Sequence, residues 1–314
     1  MTNIVTFYRF FHCEDPKGLL AKGQELASTT GIQGTMIYSP QGVNATISGE
    51  REALEAFLTQ IETWSGITID NRKWSTWQGA PFRRLRMFYK EEILGLREEG
   101  ADPRDKVGTY VEPSDWNALI TRDDVTVIDV RNWYEVYAGK FEGAVDPKTE
   151  TFHDFARFVQ EQLDPAVNKH VARYCTGGIR CEVATSFLLD RGFENVFHLQ
   201  GGILKYLEDV EQKDSTWEGE CFVFDERVTV DHDLEPGTFE RCRGCSAVLT
   251  VEDMKHPAYE EGVVCGHCHE TRSPERISAA RERMKQIRLS HERQSHERQA
   301  REQSTERTAQ EIPA

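Results

Sequence analysis

The sequence predicts a multi-domain α/β protein: an N-terminal α+β domain, a central α/β domain on a parallel sheet, and a small cysteine-rich segment followed by a polar tail. Three observations predict it. The first hundred residues alternate short apolar strands with amphipathic helices. Residues 125–130 (VTVIDV) and 171–174 (VARY) are near-continuous apolar runs, as strands buried on both faces should be. Two Cys-x2-Cys pairs, Cys242/Cys245 and Cys265/Cys268, are separated by 19 residues. A chain of 314 residues exceeds the usual length of one domain, and its 6 Trp, 9 Tyr and 16 Phe can fill more than one core.

Residues 4–11 read as a strand, and residues 16–27 as a helix with Pro16 in its first turn. Residues 34–39 and 43–48 are strand-like, joined through Pro40-Gln41-Gly42, a turn signal. Over residues 50–64, Leu54, Phe57, Leu58 and Ile61 share one helical stripe. Residues 67–74 and 82–90 are the final strand candidates, and the order βαββαβ predicts a ferredoxin-like (acylphosphatase-like) domain over residues 1–100. In the last strand Leu85, Met87 and Tyr89 fall on one face, Arg84 and Arg86 on the other.

Residues 101–119, rich in charge and bearing Pro103 and Gly108, read as a linker. The second α/β pattern occupies residues 120–218. Its strands are 125–130, 171–174 and 195–199; its helices are 181–189, with Val183, Ala184, Phe187 and Leu188 inward, and 203–210 after Gly201-Gly202. Residues 219–274 form the cysteine-rich segment. The charged tail, 275–314, contains a tandem SHERQ repeat at residues 290–294 and 295–299. A five-residue period keeps no face on a 3.6-residue helix, so the tail reads as disordered or as a solvated helix.

No apolar run approaches the roughly 18 residues of a membrane helix. No export signal is evident, so eight cysteines point to thiols and metal ligands in a reducing cytoplasm. The net charge of −15 is unevenly spread: −1 over residues 1–100, −16 over 101–274 and +2 over 275–314. Between Arg72 and Lys90 there are six basic residues and no acidic one, so a polyanion can bind there despite the overall charge.

The strongest chemical signal is Cys175-Thr176-Gly177-Gly178-Ile179-Arg180-Cys181, a loop between an apolar strand and a helix. A cysteine at its head faces backbone N–H groups and the positive end of a helix dipole. Both favour thiolate, and Arg180 adds a positive charge. Gly177 and Gly178 permit the dihedrals that turn amides inward. Arg180 follows Cys175 by five positions. Tyrosine-phosphatase loops are one position longer, so this loop suits a sulfur carried on cysteine better than a phosphate ester. Cys181 either resolves a persulfide or disulfide, or simply faces the core.

With Val127-Ile128-Asp129-Val130-Arg131 and Tyr134-Glu135, this loop resembles a rhodanese domain. In that family the loop cysteine carries a persulfide, and Asp129 and Arg131 are expected to pair structurally. Further segments in one order narrow the resemblance: Gly108-Thr109-Tyr110-Val111, Asp146-Pro147-Lys148-Thr149-Glu150-Thr151-Phe152, Gly201-Gly202-Ile203-Leu204-Lys205-Tyr206, and residues 217–228 (WEGECFVFDERV). Together they are similar to the rhodanese-like tRNA uridine(34) hydroxylases over residues 1–270. The resemblance implies an oxidoreductase that forms 5-hydroxyuridine at the wobble position with molecular oxygen. The motifs alone imply sulfur transfer, because no 2-His-1-carboxylate iron set, flavin loop or haem signature is evident. One route to hydroxylation has Cys175 add to the uracil ring, making its C5 electron-rich.

The four cysteines Cys242, Cys245, Cys265 and Cys268 match a zinc ribbon holding one structural zinc. Arg72, Lys73, Arg83, Arg84 and Arg86, interleaved with Trp74, Trp77 and Phe82, are the RNA-contact candidates, suited to a tRNA anticodon loop rather than to DNA or a membrane. Two other functions remain open at this point. One is a persulfide sulfurtransferase serving a small acceptor; the other is a zinc-stabilised RNA-binding adaptor.

Overall fold

The computed structural model describes residues 1–290, which fall into two compact units, residues 1–238 and residues 239 onward. The first unit opens with β1 (Thr2–Phe10), α1 (Pro16–Thr30), β2 (Gln33–Ser39), β3 (Gly42–Gly49), α2 (Arg51–Ser65), β4 (Arg72–Trp77) and β5 (Leu85–Tyr89). They form one sheet in the order β4-β1-β3-β2-β5, the ferredoxin-like arrangement extended by β5, which runs parallel to β2. Asp15 caps α1 through the Gly18 N–H at 2.8 Å, with Pro16 at its start, as the sequence predicts. The stripe Leu54, Phe57, Leu58 and Ile61 is fully buried against Val5, Phe7, Met36 and Ile47. Thus α1 and α2 cover one face of the sheet. On the other face lie Tyr8 of β1 and Lys73 of β4, which is paired with Thr6. Strand β4 begins at Arg72, later than the expected residue 67.

The unit continues with β6 (Thr109–Val111), α3 (Pro113–Ile120), β7 (Val125–Asp129), α4 (Trp133–Val136), β8 (Gly139–Phe141), α5 (Asp154–Gln162), β9 (His170–Tyr174), α6 (Ile179–Asp190), β10 (Asn195–Leu199) and α7 (Gly202–Asp209). The parallel sheet has the order β6-β10-β9-β7. Strand β9 is interior, flanked by β10 and β7, and Cys175 begins the loop at its C-terminal end. Residues 109–119, expected in a linker, instead supply the edge strand β6 and most of α3, whose Trp116 is fully buried. A three-residue strand carries no readable periodicity, and only pairing with β10 defines it. Next come β11 (Trp217–Gly219), β12 (Cys221–Phe222) and β13 (Thr229–Val230). Strand β11 pairs with β8, and Cys221, Val223 and Val230 join the core of Trp116, Tyr174 and Tyr206. Residues 219–238, expected with the cysteine-rich segment, therefore belong to the first unit.

The second unit holds β14 (Glu240–Arg241) paired with β15 (Val248–Leu249) and a helix, α8, at residues 274–290. The start of the expected disordered tail is helical because Ile277, Ala280 and Met284 pack on the small core of Leu249, Val263 and Val264. That stripe is too sparse to read as amphipathic in the sequence. Beyond Ser290, the SHERQ repeat lies outside the described residues. Among the described residues, no helix is long and apolar enough to cross a membrane.

Candidate active site

The loop that follows β9 has its carbonyls turned outward, and each has a partner. The Cys175 carbonyl accepts from Ile203 N–H at 3.0 Å and the Thr176 carbonyl from Leu204 N–H at 3.1 Å, both at the start of α7. The Gly178 carbonyl accepts from the N–H groups of Cys181 (3.0 Å) and Glu182 (3.3 Å). With the carbonyls outward, an amide turns inward: Gly178 N–H donates to the Cys175 sulfur at 3.1 Å. Two glycines make this possible. Gly178 adopts φ +95°, and a Cβ on Gly202 would lie 2.5 Å from the Cys175 carbonyl oxygen.

Cys175 is 1% exposed. Burial raises its pKa, but the Cys181 thiol, the Arg180 charge and the Cys181 and Gly178 amides outweigh it and bring it down to about 5. Arg180 does not face the sulfur alone. Its guanidinium forms a fork with Glu135, Nη1 to Oε2 and Nη2 to Oε1, both 2.7 Å. Glu135 is fully buried on α4, and Thr176 Oγ1 donates weakly to it at 3.4 Å. Cys181, on α6, is also fully buried. Its own pKa is pushed up, first by burial and then by its bond to Cys175, so it donates its proton to a neighbouring thiolate. Arg131 and Asp129 form a fully buried pair, and Arg131 also donates to the Gly139 carbonyl at 2.6 Å.

The N-terminal sheet reaches this site. Tyr8 OH donates to Glu182 Oε1 at 2.7 Å, and Lys73 Nζ donates to the carbonyls of Gly177 and Gly201, each at 2.5 Å. Burial raises the Glu182 pKa, and its hydrogen bonds from Tyr8 and Tyr110 offset part of that rise.

Of the expected RNA-contact residues, the structure leaves three on the surface. Arg84 and Arg86 are exposed on β5 and just before it, and Arg83 is exposed beside Glu226 at 3.5 Å. Phe88, 43% exposed, extends the Arg84–Arg86 face. Arg72 is taken by Glu62 of α2, and Lys73 by the cysteine loop, because alternate residues of β4 face the helices and the central domain respectively. Trp74, expected among the aromatics available for stacking, is covered by Arg51 at 3.4 Å from its ring centre. Sequence reasoning missed Tyr8, Glu182 and the pairing role of Glu135, and it did not foresee that Lys73 meets the cysteine loop.

In the second unit the sulfurs of Cys242, Cys245, Cys265 and Cys268 all lie within 4.8 Å of one another. The separations Cys242–Cys268 (3.9 Å), Cys245–Cys265 (3.7 Å) and Cys265–Cys268 (3.9 Å) fit the roughly 3.8 Å edge of a tetrahedron with metal–sulfur bonds of about 2.3 Å. Gly244 N–H donates to the Cys242 sulfur at 3.3 Å, which supports a thiolate there. These four residues can hold a metal ion.

Residues 2–93 match the family described as UPF0176 acylphosphatase like domain, and residues 112–209 match the rhodanese-like domain. A curated protein of Picosynechococcus sp., named tRNA uridine(34) hydroxylase, is 46% identical over 283 residues, which is 90% of this chain and 95% of the relative. Among solved structures, a Rhodopseudomonas palustris protein of unknown function, described as a possible tyrosine phosphatase, is 23% identical with a TM-score of 0.30, covering 38% of this chain and 93% of its own. The rhodanese-like domain of an Anabaena protein is 20% identical with a TM-score of 0.30, covering 35% of this chain and 78% of its own.

Proposed function

The chain belongs to the tRNA uridine(34) hydroxylase family, and from that premise we propose that it hydroxylates wobble uridine 34 of tRNA to 5-hydroxyuridine in the cytoplasm, with Cys175 as the reactive thiol. The observation that carries the reading is the 46% identity across nearly the whole of both chains. The cradle adds the chemistry: a thiolate held by Gly178 N–H, with Arg180 and the Cys181 thiol beside it. Addition of that thiolate to C6 of the uracil ring would place electron density on C5. Molecular oxygen, the proposed co-substrate, would supply one atom there, while its second atom leaves as water with two electrons and two protons from an external reductant. Loss of the C5 proton with expulsion of Cys175 would restore the ring. Thr176, Gly177, Gly178 and Ile179 shape the loop, and Arg180, locked to Glu135, keeps positive charge at its far end.

The anticodon loop is the proposed RNA element, because its unpaired bases can be splayed out at low cost, about a few kcal/mol for one extruded base. Arg83, Arg84 and Arg86 are the proposed phosphate contacts. Replacing all three by Ala should weaken tRNA binding and reduce its salt dependence by about one slope unit or slightly less per lost contact. Binding measured across a salt series checks this; an unaltered slope would mean that these arginines are only solvated surface. The four cysteines are proposed to hold zinc, which supplies a structural cross-link to the second unit and takes no part in the reaction.

Nucleoside mass spectrometry of tRNA from cells lacking the protein separates the three candidate functions. Loss of 5-hydroxyuridine and its derivatives supports hydroxylation. Loss of thiouridine instead would assign a sulfurtransferase, and unchanged nucleosides with RNA co-purifying with the protein would assign an adaptor.

A further inference from the structure

Within the cysteine cradle, every loop carbonyl but one is held by backbone: Cys175 and Thr176 by the start of α7, Gly178 by the start of α6. The exception is Gly177, whose carbonyl is held by a side chain from 104 positions earlier in the chain, Lys73. The same ammonium takes the carbonyl of Gly201, in the turn that leads into α7. One cation therefore fastens the cysteine loop to the turn that leads into α7. We infer that Lys73 is a positioning residue of this active site, contributed by the N-terminal sheet, which holds the loop in the orientation that presents its amides and a positive charge to Cys175.

Three features support the inference. Strand β4 fixes Lys73 by pairing with β1, where Tyr8, on the same face, anchors the same rim through Glu182. The titratable groups facing the ammonium are Cys175, held as a thiolate, Cys181 and Cys221, whose pKa values burial pushes up, and Glu182. Burial lowers the Lys73 pKa to about 8, with those four groups opposing the fall, so the side chain is still a cation at neutral pH. Without Lys73, the carbonyls of Gly177 and Gly201 would lose this partner, and a peptide rotation that satisfied them elsewhere would turn amides away from the sulfur. A surface lysine reserved for RNA phosphate would need none of this geometry.

The inference rests on Cys175 being the reactive thiolate, and its test separates the two. Alkylation of the full chain by iodoacetamide is followed against pH, with Cys175 quantified by peptide mapping. The wild-type midpoint should lie far below that of an ordinary thiol. In Lys73→Met it should rise by about one unit, with the thermal melt showing a folded protein. Lys73→Arg, which keeps charge and donors, should fall closer to wild type. If Lys73→Met does not fold, Lys73→Gln removes the charge, keeps a donor and is read in the same way. A folded neutral variant with the wild-type midpoint overturns the role of Lys73 alone. An ordinary midpoint in the wild-type protein overturns the Cys175 reading, and this inference with it.

Discussion

Cys175→Ser should lower uridine hydroxylation by at least about 10³-fold while leaving the fold and tRNA affinity unchanged. Serine nearly matches cysteine in shape, so Gly178 N–H keeps an acceptor at the same position. What is lost is the anion. The cradle brings a thiol down to about 5, making it thiolate at neutral pH, whereas the same surroundings acting on an alcohol leave it protonated. The sign of the pH effect follows from this. Reactivity of the wild-type thiol should be full above the depressed pKa and should fall away only as pH drops through about 5, not through the usual thiol range near 9. Activity and circular dichroism of the variant together check the expectation; wild-type turnover in a folded Cys175→Ser protein would remove Cys175 from the chemistry.

Removing the proposed zinc from the second unit should unfold it. Its core is small: Leu249, Val263, Val264 and Ala280, with Met254, Tyr259, Ile277 and Met284 around them. A structural four-thiolate zinc contributes on the order of 10 kcal/mol or more, which equals or exceeds the whole stability of a typical domain. Chelation, or Cys265→Ala, should therefore abolish hydrogen-exchange protection across residues 239–290. Metal analysis of the purified protein should find one zinc per chain. Protein with reduced cysteines, no zinc and undiminished protection in this segment would contradict the metal site.

Sequence periodicity revealed most of the scaffold because burial is local to each element. The stripe of α2 and the run before Cys175 are written in consecutive residues, and both are buried as that pattern requires. The cysteine pairs were legible for a similar reason, since two knuckles fix the ligand types before any tertiary contact forms. What was not legible depends on pairing across distance. Strand β6 exists because β10 lies beside it, and residues 219–238 join the central domain because Trp217 and Cys221 meet a core built elsewhere. Lys73 is the clearest case. In sequence it sits in a basic run next to Trp74, and charge alone assigns it to RNA. Only the alternation of β4 together with the packing of its helix-free face delivers that ammonium to Gly177 and Gly201. The Arg180–Glu135 fork was hidden likewise, since its halves are 45 positions apart and neither position alone signals a partner.

The central claim, that the Cys175 cradle belongs to an enzyme adding oxygen to uridine 34, is tested most directly by isotope. Purified protein is incubated with tRNA bearing an unmodified wobble uridine under ¹⁸O-labelled dioxygen, with whatever reductant turnover requires, and the product is mapped by mass to its position in the anticodon. Sulfur replacing oxygen and oxygen added to carbon change the nominal mass equally, so the label decides between them. Heavy oxygen incorporated at position 34 by the wild-type protein, and absent with Cys175→Ser, is the result expected. Sulfur at that position, or oxygen drawn from water, would contradict the account.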